Sequence, residues 1–318
     1  MRVVPILYPC DLGRHEHGRY VASGERGAAD LILDLIEDEG VRFARPETVA
    51  VDFPEEPDPE DAPLKFDGPI SRAVCALAEV VARVNAQGDF PLVLGGDHTT
   101  LAGHVLGHAL RHPKGVGLAV LADAHLDLAR PAIPVYDDTK RLRTDPSTTQ
   151  DGGAARMALT AALRLIPDRF ELGRQMARSS LLAKQTSVIG VRGPEWAQIR
   201  AAEREQGVDV WRMERLELDG EAAYRSMLSR HLAQGPIALS VDATGLDPGL
   251  MTAVRDPVSD GLDWSFLKRT LEQCAPHVDR LLGLDLAHVD PTRDSAHHAA
   301  TSRLIETLAP FLARLSRA

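Results

Sequence analysis

Three short apolar runs, each ending in acidic residues or a histidine, stand out in the pattern of hydrophobic and polar positions. The clearest is 116–122, which stops at Asp123, His125 and Asp127. A continuous apolar run of this length is typical of a strand buried on both faces of a parallel sheet. Because residues two apart on an extended backbone project from the same face, the three side chains could meet at one point. Open α/β sheets bind ligands just outside the carboxyl ends of their strands, so we expect a functional site there.

The other two runs have the same form. Residues 90–94 are followed by Asp97 and His98, and residues 237–241 are followed by Asp242. Three strand ends in one parallel sheet can supply a single shared site. Carboxylates and a neutral imidazole, with no cysteine nearby, suit Mn²⁺ better than zinc or an iron–sulfur cluster.

Strand-like and helix-like segments alternate through the chain, which predicts parallel βαβ units. The predicted fold class is therefore α/β, with three α-β-α layers and a mostly parallel central sheet. Besides the three runs, strands are predicted at 2–8, 48–53, 186–191, 208–213 and 279–286, and helices at 24–40, 69–86, 99–112, 154–166, 170–182, 194–206, 220–233, 263–276 and 296–316. Residues 129–153 lack periodicity, and their position directly after Asp127 predicts a substrate-facing loop.

Length and charge narrow the kind of protein and the kind of partner. The 318 residues fit a single domain spanning 1–318, and a net charge of −10 argues against nucleic acid or an anionic membrane as a main partner. Cys10, Cys75 and Cys274 show neither ligand spacing nor a disulfide framework, which predicts a reducing cytoplasm. The N-terminal apolar segment is too short for a signal peptide or a membrane span.

The three strand-end motifs resemble the signature motifs of the ureohydrolase superfamily, which contains arginases, agmatinases and formimidoylglutamases. The motifs are Gly95-Gly96-Asp97-His98, Asp123-Ala124-His125-Leu126-Asp127 and Ser240-Val241-Asp242 with Asp247-Pro248. The resemblance implies an arginase-like fold, and a small guanidino, amidine or amide substrate. It also implies two Mn²⁺ ions that share a hydroxide, which attacks the substrate carbon. Because family members are commonly trimers or hexamers, it implies a homo-oligomer.

The same resemblance assigns individual ligands. The first metal position would take His98, Asp123, Asp127 and Asp242. His125 would serve the second position, with Asp123 and Asp242 bridging both. Asp97 and Asp247 would contact the ligands without binding the metal directly, although both could equally be residues that only form turns.

Four positions depart from the family pattern. Thr244 stands where the family has an aspartate, so we predict one tight Mn²⁺ site and a second that is weak or absent. His288 stands where the family has a glutamate that faces the guanidinium, and an imidazole cannot form that bidentate ion pair. Ala155 replaces a histidine of the long loop, and Arg255-Asp256-Pro257 replaces Gly-Thr-Pro.

His288 has three possible roles. It could complete the second metal site, face the substrate and act as an acid near neutral pH, or be satisfied by backbone groups at a strand end. We favour the substrate-facing role, which makes His288 the predicted catalytic residue.

Three functions follow from these residues. The first is a metal-dependent C–N hydrolase with an altered substrate. The second is a degenerate family member that binds a ligand or partner subunit without catalysis, and the third is a scaffold whose metal only stabilises the fold. We favour the hydrolase, because the residues that bind metal are nearly intact while those that face the substrate have changed. The retained ligand positions argue against the third function, since burying carboxylates together is costly unless a cation compensates them.

Overall fold

A sheet of eight parallel strands forms the centre of the molecule. The structure is a computed structural model that describes residues 1–16, 19–20, 22–56, 58–59, 62–131, 135–136, 142–143, 152–193, 195–295 and 297–317. Its strands are β1 (Val3–Tyr8), β2 (His15–Glu16), β3 (Arg19–Tyr20), β4 (Glu47–Thr48), β5 (Phe90–Gly95), β6 (Val116–Val120), β7 (Val135–Tyr136), β8 (Leu142–Arg143), β9 (Leu181–Val191), β10 (Asp209–Arg212), β11 (Ile237–Asp242) and β12 (Leu281–Ala287). The order across the sheet is β10-β9-β6-β11-β12-β5-β1-β4.

Helices connect the strands in the alternating pattern that parallel pairing requires. The α-helices are α1 (Ala28–Asp38), α2 (Asp67–Ala86), α3 (Thr99–Arg111), α4 (Ala158–Ala162), α5 (Glu171–Met176), α6 (Trp196–Arg200), α7 (Met213–Asp219), α8 (Glu221–Gln234), α9 (Trp264–Cys274) and α10 (Ala299–Leu315). Among the described residues, no helix combines the length and the apolar character that a membrane crossing requires.

The core lies on both faces of the sheet. In β5, Leu92 and Leu94 pack on the face covered by α1, α8, α9 and α10, whereas Val93 packs on the face covered by α2, α3, α4 and α5. Alternate residues of one strand therefore enter two different cores, which explains why the strand reads as a continuous apolar run. The predicted three-layer α/β fold is confirmed.

Several predicted segment boundaries were wrong. The strand predicted at 48–53 is only β4, and the helix predicted at 170–182 ends at Met176. The hydroxyls of Ser179 and Ser180 donate to the carbonyls of Ala162 and His112, so the backbone there turns toward β9, which already begins at Leu181. Helix α7 was not predicted.

Two further regions differ in detail from the sequence prediction. The helix predicted at 154–166 is a 3₁₀ turn, Ala154–Met157, followed by the short α4, and the helix predicted at 194–206 ends in a π-helix, Ala201–Gln206. In the long loop, β7 and β8 pair antiparallel. Most of the remaining loop, and with it the predicted substrate-facing role, lies outside the described residues.

Candidate metal centre

One histidine and three aspartates meet at the carboxyl edge of the sheet, close to its middle. His98 follows β5, Asp123 and Asp127 follow β6, and Asp242 ends β11. One ligand atom from each lies within 4.8 Å of all the others, and all four residues are buried. The Nδ1 atom of His98 is 2.7 Å from the Oδ2 atom of Asp127, 3.4 Å from that of Asp123 and 3.5 Å from that of Asp242. The structure thus brings together the four residues predicted for the first metal position, His98, Asp123, Asp127 and Asp242, which we call the metal group.

Local turns orient the carboxylates. Oδ1 of Asp123 accepts from the backbone N–H of His125 at 2.8 Å, and Oδ1 of Asp242 accepts from that of Thr244 at 2.7 Å. Asp127 has φ +50°, a left-handed conformation that aspartate tolerates better than most residues. The Oδ2 atom of Asp242 is buried and has no hydrogen-bond partner among the described residues. One oxygen of Asp123 and one of Asp242 therefore fix the side chain, while the other oxygen faces the group.

The electrostatics of the group call for a cation. Burial and the charge of Asp242 raise the pKa of Asp123 well above its usual value. Burial would lower the pKa of His98, but its hydrogen bond to Asp127 and the three carboxylate charges raise it well above the usual range. Protons and metal ions therefore compete for the same buried ligand atoms. One imidazole and three carboxylates form a donor set that suits Mn²⁺.

Arg192 fixes the loop that carries the third motif. Its guanidinium is buried and donates to backbone carbonyls of three segments, those of Gly190, Thr244, Gly245, Leu246, Val258 and Ser259. These bonds join the end of β9 to the turn after β11, so Arg192 holds Asp242 in place indirectly. Arg192 lies outside the three strand-end motifs, so they did not mark it as a site residue.

His288 lies beside the metal group and pairs with a carboxylate. Its Nδ1 atom is 3.0 Å from Oε1 of Glu25, and its Nε2 atom is 3.7 Å from Oδ2 of Asp242. Burial would lower the pKa of His288, but Asp242 and Glu25 raise it. A carboxylate therefore holds the imidazole, so the backbone-satisfied alternative is wrong.

Glu25 is a site residue that the sequence did not reveal. It is fully buried in the 3₁₀ turn Gly24–Gly27, and its Oε2 atom lies 3.7 Å from Nε of Arg14. Burial would raise the pKa of Glu25, but His288 and Arg14 lower it overall. Arg14 continues the series of charges to Asp256, with 3.0 Å between Nη1 and Oδ2. Glu25 belongs to no motif, so only the folded chain shows it.

Glu195 is a second residue that the sequence missed. Its Oε2 atom accepts from the backbone N–H of Leu126 at 2.9 Å. Leu126 lies between the predicted ligands His125 and Asp127 in the sequence. Burial raises the pKa of Glu195 to about 7. A buried carboxyl with such a pKa is a candidate for a functional group.

Three other predicted positions, Thr244, Asp97 and Asp247, accept or donate hydrogen bonds that shape the site. The hydroxyl of Thr244 donates to Oδ1 of Asp242 at 2.6 Å, so it orients a ligand. Asp97 accepts from the backbone N–H groups of Gly13 and Thr99, and burial raises its pKa to about 6. Asp247 accepts from the backbone N–H groups of Gly249 and Gly261. His125 is not a member of the group of four, and Ala155 is buried with its amide donating to the carbonyl of Gly13.

Comparison with known proteins decides the family. A model described as the Arginase family matches residues 36–311. The chain belongs to the arginase family. An arginase of Coccidioides posadasii is 27% identical over 288 residues, which cover 88% of this chain and 83% of that protein. An arginase of Brevibacillus brevis is 30% identical over 227 residues, which cover 70% of this chain and 69% of that protein. The resemblance seen in the motifs of this arginase-family protein is confirmed.

Solved structures agree on the fold. The arginase of Bacillus caldovelox superposes with a TM-score of 0.78 at 22% identity, covering 100% of this chain and 99% of that one. The proclavaminate amidino hydrolase of Streptomyces clavuligerus superposes with a TM-score of 0.65 at 18% identity, covering 100% of this chain and 92% of that one. At these identities the likeness concerns the arginase fold, and the substrate of this family member has to be argued from its own residues.

Proposed function

We propose that this arginase-family protein is a metal-dependent hydrolase that cleaves a C–N bond of a small guanidino, amidine or amide compound. The observation that carries the proposal is the buried group of His98, Asp123, Asp127 and Asp242. Burying three carboxylates against one imidazole is costly unless a cation is bound among them. The predicted cytoplasmic location and homo-oligomeric state remain part of this proposal.

The donor set fits one Mn²⁺ ion. The four residues of the group would hold it, with the free Oδ2 of Asp242 as one ligand atom. A divalent cation at this position lowers the pKa of water beside it toward neutrality. The second position is weaker, because Thr244 offers a hydroxyl that is already bonded to Asp242.

The residues beside the metal group, His288, Glu25 and Arg14, favour a substrate that does not place a guanidinium against His288. His288 lies between Glu25 and Asp242, and Arg14 stands behind Glu25. Burial would lower the pKa of His288, but Asp242 and Glu25 raise it, which favours the imidazolium form. The imidazolium donates through Nδ1–H to Glu25 and keeps Nε2–H as a second hydrogen-bond donor. A neutral or anionic substrate group accepts from such a donor, whereas a guanidinium carries only donors. We therefore infer that His288 faces the substrate and that arginine is hydrolysed poorly.

A second function is favoured by the same two departures from the family pattern. Thr244 weakens the second metal position, and His288 removes the carboxylate that faces a guanidinium. A family member altered in this way can bind a ligand or a partner subunit without catalysis. Catalytic turnover separates the two functions.

The first experiment is elemental analysis of purified protein, followed by assays of urea and ammonia release over guanidino, amidine and amide compounds. We expect one Mn²⁺ per chain and release of product from a subset of these compounds. The Asp127→Asn variant should lose both metal and turnover, since it removes one ligand charge. The Asp168→Asn variant is the control, because Asp168 is an exposed residue in a loop that precedes α5. Metal binding without turnover of any compound would favour the non-catalytic function.

The second experiment tests whether His288 sets the substrate preference. In His288→Glu alone, the new carboxylate would face Glu25, so the informative variant is His288→Glu combined with Glu25→Gln. We expect this double variant to gain activity on guanidino compounds relative to the unmodified protein. Robust arginine turnover by the unmodified protein, unchanged in His288→Ala, would show that His288 does not set specificity.

A further inference from the structure

A series of buried hydrogen bonds leads from the metal group into the core. The Nε2 atom of His98 is 3.4 Å from Oγ of Ser240, and that hydroxyl is 2.7 Å from Oδ1 of Asp285. The other oxygen of Asp285, Oδ2, is 2.6 Å from Nδ1 of His104. All four side chains are completely buried, so water cannot substitute for any of these partners without a local rearrangement.

The direction of the bonds follows from the donors that each group has. An ionised carboxylate only accepts, so Asp285 accepts from the Ser240 hydroxyl and from His104 Nδ1–H. Ser240 has a single proton, and it is used toward Asp285. Its oxygen must then accept from His98, which places a proton on His98 Nε2 and leaves Nδ1 as the atom that ligates. The series thereby fixes both the tautomer and the ring orientation of His98.

We propose that His104 is a positioning residue of the metal centre, acting through Asp285 and Ser240 on His98. The proposal rests on the proposed function, because it assumes that the group of four binds a divalent cation. Among the residues that the structure describes, two hydrogen bonds orient the Asp285 carboxylate, and His104 makes one of them. If that bond is lost, the carboxylate is free to turn, and Ser240 is no longer held as an acceptor for His98.

His108 provides a matched control within the same helix. It lies one turn after His104 in α3, is equally buried, and stacks edge-on against it with 4.4 Å between ring centroids. Its Nδ1 atom bonds to Oδ1 of Asn85 at 2.6 Å and makes no bond to Asp285. Replacing either histidine removes a buried imidazole and its hydrogen bond, but only His104 is linked to the metal group.

The experiment measures Mn²⁺ binding to the metal-free, full-length protein by titration calorimetry. The variants are His104→Leu, which lacks the donor, His104→Asn, whose amide N–H₂ can replace Nδ1–H, and His108→Leu. Thermal unfolding of each metal-free variant is recorded first, so that a loss of stability is seen separately from a loss of affinity. We expect His104→Leu to weaken Mn²⁺ binding about 10-fold. This is the low end of the loss seen when a residue that hydrogen-bonds to a metal ligand is replaced, because Asp285 and Ser240 lie between His104 and His98. His104→Asn should recover most of the affinity, and His108→Leu should stay within about two-fold of the unmodified protein.

Each other outcome has a definite meaning. Equal affinity of His104→Leu and the unmodified protein overturns the positioning role and leaves the proposed function intact. A loss in His108→Leu as large as that in His104→Leu, or no recovery in His104→Asn, also overturns it, because general loosening of α3 would then explain the effect. Absence of Mn²⁺ binding to the unmodified protein overturns the proposed function together with this inference. If His104→Leu does not fold, the comparison of His104→Asn with His108→Leu remains, and weaker binding by His104→Asn would contradict the proposal.

Discussion

Replacing Thr244 with aspartate is the most direct test of how this site differs from the family pattern. The Thr244 hydroxyl donates to Oδ1 of Asp242 at 2.6 Å, and both side chains are buried. In Thr244→Asp, a carboxylate would take the place of that hydroxyl and face the carboxylate of Asp242. The substitution should therefore destabilise the metal-free protein and create a stronger second cation site.

Two routes give the same magnitude for the loss of stability. Two charges about 4 Å apart repel by about 4 kcal/mol at an effective dielectric constant of roughly 20. The chain can instead protonate the new aspartate, which restores the hydrogen bond to Asp242. Moving its pKa from about 3.9 to neutral pH also costs about 4 kcal/mol. Roughly 2.1 cal/mol/K per residue gives a chain of 318 residues an unfolding entropy of about 0.7 kcal/mol/K. We therefore expect the Tm to fall by about 6 °C in chelator.

The assay is thermal unfolding in chelator and in Mn²⁺, combined with titration calorimetry. Mn²⁺ at about 100 times its Kd should stabilise a newly formed site by about 2.7 kcal/mol, or about 4 °C. Most of the deficit of Thr244→Asp should therefore disappear in Mn²⁺, and a second binding event should appear in the titration. Thr244→Asn is the control, because its amide can still donate to Asp242 but adds no charge.

Two results would refute this reasoning. If Thr244→Asp unfolds at the same temperature as the unmodified protein in chelator, the new carboxylate does not face Asp242. If it is destabilised but gains no more from Mn²⁺ than Thr244→Asn does, another residue already fills the second position.

Three further predictions concern Asp242, Asp294 and Gly283. Asp242→Asn should lower Mn²⁺ affinity more than His125→Ala does, since Asp242 belongs to the group of four and His125 does not; equal losses in calorimetry would contradict this. Asp294→Ala should cost about 1 kcal/mol, because Asp294 accepts from the backbone N–H groups of Ala300 and Thr301 at the start of α10. These bonds hold the pKa of Asp294 below its usual value despite partial burial, so its contribution is present above about pH 3.9 and is lost as the pH falls through the lower folded value; denaturant unfolding at several pH values measures it. Gly283→Ala should destabilise the protein by about 1–3 kcal/mol, because a Cβ there would lie 2.6 Å from Nε2 of His104 and 2.9 Å from that of His108; unchanged denaturant stability would show that the helix can shift.

The predicted metal ligands that follow buried strands could be found from the sequence because two features of parallel sheets coincide there. A parallel strand buried on both faces shows as an apolar run, and its carboxyl end lies at the edge where neighbouring strands end. Asp123 and Asp242, from β6 and β11, were therefore placed together from the sequence, although 119 positions separate Asp123 from Asp242 along the chain. The resemblance then supplied the roles, which the strand pattern alone does not contain.

Glu25 and His104 could not be predicted, because their importance depends on partners that are far away in sequence. Glu25 lies 263 positions from His288, and His104 lies 181 positions from Asp285. His104 also sits on a helix face where a buried histidine most simply reads as core. The short helices and the early start of β9 were missed for a different reason. After α5 ends at Met176, the hydroxyls of Ser179 and Ser180 bond to carbonyls of other segments and direct the backbone toward β9, and such bonds follow no periodicity.

The departures from the family pattern fit together when their charges are considered. Thr244 in place of an aspartate and His288 in place of a glutamate remove two negative charges from the site. A second divalent ion would bring two positive charges, so the two substitutions agree with the proposal that only one ion binds tightly. The remaining carboxylates of Asp123, Asp127 and Asp242 carry three negative charges, of which one Mn²⁺ ion compensates two. The His288 imidazole, 3.7 Å from Asp242 and bound to Glu25, lies where further positive charge is most useful. A site with one metal ion is thus electrostatically consistent with the residues that this chain carries, and it directs the search for substrates toward compounds that accept hydrogen bonds from His288.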